Sequence, residues 1–123
     1  MSLPEVHARL ATTAMIYCIL MALWGLWRFF RGQGITGGYF GAVVIAELLL
    51  AVQGLLGLTL WFGAGADRPG WVHWLYGIVL LLGAPVVYAY TKGRQERPEM
   101  LMYAVAYIIM IALVLRAMVT AGA

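Results

Sequence analysis

The chain reads as four long apolar runs separated by three short polar breaks. The runs cover about residues 4–30, 39–62, 69–90 and 99–120. A helix crosses a bilayer with about 20 apolar residues, so each run is long enough to span. Apolar side chains fill all faces of these runs and do not alternate with polar ones. That pattern predicts fully embedded helices rather than the strands of a barrel. The breaks RGQGITGG, GAGADRPG and TKGRQERP hold the glycine, proline and charged residues expected of turns. Pro4 suits the first turn of a helix, where its missing N–H has no helical acceptor. Pro85, inside the third run, is expected to kink it or to free a carbonyl near Leu81.

Composition narrows this further. Of 123 residues, 64% are hydrophobic and 11% are charged. Soluble domains are closer to half and a quarter. Disorder is excluded by the same balance. Four spans consume about 80 residues, which leaves room for loops but not for a second domain. The expected fold is an all-α, up-down bundle of four transmembrane helices, multi-pass in a bacterial-type cell membrane. Arg28 and Arg31 follow the first run and no small-residue cleavage site lies behind it, so this run is read as a retained span.

The net charge of +3 gives no reason to invoke nucleic acid. The basic residues sit at span ends, where they set orientation. Arg28, Arg31, Lys92, Arg94 and Arg97 flank the first and third breaks, whereas Arg9, Arg68 and Arg116 lie on the opposite side. Five against three predicts cytoplasmic first and third loops and extracytoplasmic termini. Trp24, Trp27, Tyr39, Tyr88 and Tyr90 on one side, and Trp61, Trp71 and Trp74 on the other, read as interfacial aromatic belts. Cys18 is the single cysteine, so no intrachain disulfide forms.

His7 and His73 are the two histidines, each in the first turn of an odd-numbered span. An even number of crossings separates them, so both belong to the same side. In an up-down bundle these spans are parallel and commonly diagonal. Their imidazoles could meet on one axis, as bis-histidine ligation of a noncovalent haem b requires. One turn further in lie Ala11 and Gly77, small enough to leave room for a flat macrocycle. Ala14, Cys18 and Gly25 continue the small face of the first span, with Gly54 and Gly57 on the second. Arg9, Arg68 and Arg116 share the histidine side, where charge-assisted pairing would hold haem propionates. The competing reading is of interfacial histidines and a snorkelling Arg116. No CxxCH motif occurs, which excludes covalent c-type attachment. Zinc is disfavoured because Cys18 lies too deep to join the histidines.

Glu47 falls inside the second span, roughly 12 Å from its start. An intramembrane carboxyl is costly and marks a functional site by default. Desolvation favours its neutral form. It is read as a possible proton site, a quinone site or a transport site, against an interhelical hydrogen bond to Tyr103 or Tyr107. Gln53 lies about 120° around the same helix from Glu47 and shares a small-residue face with Ala42, Ala46 and Gly57. There it reads as interhelical glue. The two halves show hints of a repeat. His7 precedes Arg28 and His73 precedes Arg94 by 21 residues each, and the halves end in GAGA and TAGA.

No nucleophile elbow, phosphate loop or HExxH motif is present. An electron-transfer or binding protein is therefore expected, rather than a hydrolase or transferase. The architecture resembles small four-helix b-type haem membrane proteins and the membrane anchors of respiratory complexes. The leading expectation is a small membrane cytochrome exchanging electrons with a quinone or a redox protein. The alternatives are an accessory or anchor subunit of a larger complex without its own cofactor, or a small proton-coupled transporter using Glu47, for which a homodimer could supply further polar groups. Small multidrug transporters carry their membrane glutamate in the first span, unlike this chain.

Overall fold

A computed structural model describes residues 1–64 and 68–120. Part of the GAGADRPG turn and most of the TAGA end lie outside the described residues, and with them the matching ends of the two halves. Four helices form: α1 (Leu3–Phe30), α2 (Gly37–Gly63), α3 (Trp71–Thr91) and α4 (Arg97–Thr120). All four are long and apolar enough to cross a membrane, and the chain is a multi-pass integral membrane protein.

Local chemistry sets the helix ends. Ser2 caps α1 by accepting from the Glu5 N–H at 3.3 Å, with Pro4 just inside the helix. Thr36 caps α2 by accepting from Tyr39 N–H, which starts the helix two residues before its apolar run. Gly70 is extended at the N-cap of α3 and delays that helix to Trp71. At α4, the Glu99 carboxylate reaches back to the Glu96 N–H at 3.2 Å, half of a capping box. Glu99 also lies 3.7 Å from Arg94, which explains why a carboxylate is tolerated almost fully buried. Lys92 and Gly93 end α3 with positive φ, and Gly32 does the same after α1.

Cross-helix contacts fix the topology. The start of α1 meets the late part of α2, where Gln53 Nε2 donates to the His7 carbonyl at 2.7 Å. The start of α3 meets the end of α4 through His73 and Thr120. The start of α4 meets the end of α1, where Arg97 Nε donates to the Phe29 carbonyl at 2.8 Å. Phe40, early in α2, lies against Tyr88, late in α3. Consecutive helices are thus antiparallel neighbours, with α1 and α3 on one diagonal, as a four-helix bundle requires. The most extensive interface is α1 with α4, and the thinnest is α2 with α3.

The two connecting loops at one end are tied together. Ile35 N–H donates to the Gln95 carbonyl, and Arg28 Nε donates to the Gly34 carbonyl beside it. We refer to this as the loop end, and to the opposite one as the terminal end.

The core belongs to the loop end and the middle of the bundle. Tyr39, Met100, Tyr103, Ala104 and Tyr107 are almost wholly enclosed. Tyr39 Oη donates to the Met21 carbonyl at 3.0 Å, and its ring sits 4.9 Å from that of Trp24. The expected interfacial role of Tyr39 is therefore corrected. It faces α1 and α4, in phase with the buried Val43, Ala46 and Leu50. The small face of α1 also has a different use from the one expected. Ala14, Cys18, Ala22 and Gly25 are buried in helix packing rather than lining open space. A Cβ built on Gly25 would lie 3.0 Å from that of Ala104, so α1 and α4 approach closely there.

Candidate functional site at the terminal end

Packing changes beyond Ala14 on α1, Leu50 on α2, Leu80 on α3 and Val114 on α4. Between those residues and the terminal end, no described side chain is fully buried. His7 and His73 sit in this zone, both half-buried. They come from diagonal helices, and their imidazoles lie within electrostatic reach of each other.

His73 is held by a neighbour that sequence reasoning missed. Its Nδ1 lies 3.2 Å from Thr120 Oγ1. The Thr120 hydroxyl is itself 3.0 Å from the Arg116 carbonyl and 3.2 Å from that of Ala117. A helical threonine spends its proton on such carbonyls. The tautomer consistent with this has Nδ1–H donating to Thr120, which leaves the Nε2 lone pair available. A ligand histidine is oriented in this way, by a hydrogen bond from the nitrogen that does not bind. The one sequence signal was a threonine in the last turn of α4.

His7 rests on bare backbone. A Cβ placed on Gly57 would stand 3.2 Å from His7 Cε1, so glycine is what lets the ring lie there. Its Nδ1 is buried with no partner, as are Gln53 Oε1 and Trp61 Nε1. Gln53 is the expected interhelical link, made to the His7 carbonyl. Buried polar atoms are nearly always paired, so these three call for an explanation, as do Gln33 Oε1, the Glu47 carboxyl and the Tyr107 hydroxyl elsewhere in the bundle.

Ala11 is half-buried one turn inside His7, and Gly77 lies on an exposed face with open space around it. Arg9, Arg68 and Arg116 are exposed at this same end. The Arg68 guanidinium stacks 4.0 Å above the Trp61 ring, whose edge meets Trp74 at 5.6 Å. Trp74 thus joins α3 to α2 beside His73. Among the described residues, no group of three or more His, Cys, Asp or Glu side chains is placed to hold a metal ion. Two imidazoles alone suit a metal whose remaining donors come from a macrocycle.

Glu47 stands apart, on α2 in the loop-end half. It makes neither of the expected hydrogen bonds to Tyr103 and Tyr107. Both carboxyl oxygens are buried without a partner, and so is the Tyr107 hydroxyl.

Comparison with protein-family models, with curated proteins and with solved structures gives no match.

Proposed function

We propose that this protein is a small b-type membrane cytochrome that binds one haem between His7 and His73 and relays single electrons. The observation that carries the reading is the pair of imidazoles, brought from diagonal helices into the part of the bundle that lacks buried side chains. Thr120 supports it by orienting His73 with Nε2 outward. Gly57 lets the His7 ring lie against the α2 backbone, and Ala11 keeps the next turn of α1 small. Arg9, Arg68 and Arg116 provide cations for the two propionates at the same end.

Haem filling this zone would also supply contact surface that the protein leaves unmade. With both His7 and His73 as ligands, the group would suit electron transfer better than oxygen binding. When bound, haem would supply one-electron redox chemistry, with a quinol or a redox protein as the exchange partner, while His7 and His73 would hold it at the terminal end. By the arginine and lysine distribution, the loop end faces the cytoplasm and the haem end faces outward.

The test is an absorption spectrum of detergent-purified protein, expressed with haem supplied, before and after dithionite. A Soret band with a sharp reduced α-band at about one haem per chain is expected. His7→Ala and His73→Ala each abolish the low-spin signature, and Glu47→Gln retains it. Colourless protein that takes up no added haem overturns the proposal. An unchanged low-spin spectrum in both histidine variants overturns the ligand assignment.

A further inference from the structure

The loop end carries a surplus of positive charge. Arg28, Arg31, Lys92, Arg94 and Arg97 stand there against the acids Glu96 and Glu99. Glu99 is enclosed and pairs with Arg94. Among the described residues, no carboxylate pairs with Arg28, Arg31 or Arg97. These three are held by the chain instead. The Arg97 guanidinium lies 4.0 Å over the Phe29 ring, while its Nε donates to the Phe29 carbonyl. Arg28 Nε donates to the Gly34 carbonyl. The Arg31 guanidinium sits 5.0 Å over the Trp27 ring.

Ordering a long side chain costs rotamer entropy, and like charges gathered at one end repel. A bond through Nε and a ring under the guanidinium fix it in place. Neither uses the paired Nη groups, the fork that takes two oxygens of a phosphate. The position of the cations says where that phosphate comes from. Arg31 follows the last residue of α1 and stands over Trp27, whose side chain is exposed. At the end of a membrane-spanning helix an exposed tryptophan marks the level of the lipid head groups. Behind Arg31 along the helix come Trp27, Leu23, Leu20 and Ile16, all exposed and spaced by four or three residues. They make one apolar strip that ends at the Arg31 cation. Its length is roughly 20 Å, enough to cross one leaflet of a hydrocarbon core of about 30 Å.

We propose that the loop end of α1 binds an anionic phospholipid, with Arg31 and Arg97 as the cations for its phosphate and the exposed α1 strip as the bed for an acyl chain. A zwitterionic head group brings its own cation to a surface already in positive surplus. An anionic one offsets that surplus. Free phosphate or an acidic peptide would use the arginines and leave the strip unused. Neither His7 nor His73 takes part, so this site stands or falls apart from the cytochrome reading.

The experiment is native mass spectrometry of the full chain in detergent, prepared with and without haem. The probes are dioleoyl phosphatidylglycerol and dioleoyl phosphatidylcholine at equal concentration. Phosphatidylglycerol adducts are expected to exceed phosphatidylcholine adducts, and equimolar inorganic phosphate is expected not to displace them. Arg31→Gln lowers phosphatidylglycerol binding by about fivefold, the loss of one interfacial cation, and leaves phosphatidylcholine binding unchanged. Lys92→Gln removes the same charge from the same end, but at the diagonal helix α3, and keeps most of the binding. Circular dichroism checks that the helices of both variants are intact. Should Arg31→Gln lose its helices, Arg31→Lys serves instead, keeping the charge and losing the fork, with a smaller loss of binding expected. Equal retention of the two lipids overturns the proposal. So do equal losses in Arg31→Gln and Lys92→Gln, which would mean diffuse charge only, and displacement by inorganic phosphate, which would mean a free-anion site. Haem retained without lipid preference removes this site alone, and lipid preference without haem uptake removes the cytochrome alone.

Discussion

At the loop end, Tyr39 and Met100 are 0% exposed, Tyr103 is 1% exposed, and the Tyr39 hydroxyl is bonded to a backbone carbonyl. At the terminal end, His7, Gln53 and Trp61 each keep a buried polar atom without a partner, and no described side chain is fully enclosed. In side-chain burial the same four helices therefore pass from a closed core to an open end. Unpaired buried polar atoms occur in both halves, with Gln33 Oε1, the Glu47 carboxyl and Tyr107 Oη toward the loops. In a bilayer this contrast cannot come from hydrophobic burial, because lipid tails are as apolar as leucine. What differs is packing and hydrogen bonding between helices. One end encloses its side chains to hold the fold, and the other leaves its side chains partly open.

Stability measurements in mixed detergent–SDS micelles can break or sharpen that contrast. The largest effect is expected from large-to-small substitution. Tyr39→Ala should cost about 3–5 kcal/mol through the cavity it leaves, while Trp71→Ala, exposed at the other end, should stay within about 0.5 kcal/mol. Equal costs would show that the two ends are equally packed. A smaller effect follows from adding one methyl group. A Cβ on Gly34 would run into the backbone carbonyl of Gln95, whereas one on Gly54 meets nothing within 4 Å. Gly34→Ala should destabilise by about 1–3 kcal/mol. Gly54→Ala should be neutral or stabilising by up to about 1 kcal/mol, through helix propensity. The smallest difference lies within the core itself. Tyr39→Phe loses a made hydrogen bond and should cost about 1 kcal/mol. Tyr107→Phe removes a hydroxyl that bonds to nothing and should cost close to zero or stabilise. A large loss in Tyr107→Phe would mean that this hydroxyl is engaged after all.

Much of the architecture was legible because hydropathy and turn chemistry act locally. The four spans, the glycine- and proline-bearing breaks and the same-side placement of His7 and His73 all follow from the order of residues. Packing partners do not. Tyr39 sits near a span end, where an aromatic side chain reads as interfacial. Its phase with Val43, Ala46 and Leu50 at spacings of four, three and four was the sign that it faces inward. Ala14, Cys18 and Gly25 were legible as a small face, but such a face can admit either a cofactor or another helix. Only the position of α4 decides that it admits a helix. Thr120 could not be linked to His73 from sequence, because 47 residues separate them and the contact depends on α3 and α4 being neighbours. The solitude of the Glu47 carboxyl was invisible for the same reason. Two tyrosines were at plausible heights, and neither is bonded to it.

The tie between the two loops, from Ile35 to Gln95 and from Arg97 to Phe29, has a mechanical consequence. It makes the bundle a pair of tongs gripped at one end. From that grip α1 extends about 33 Å to His7. A rigid rod of this length pivoting by about five degrees displaces its far tip by about 3 Å, without disturbing the grip. Mobility measured along the helices should therefore grow with distance from the loops, and a guest wedged between the tips should damp it most where the lever arm is longest.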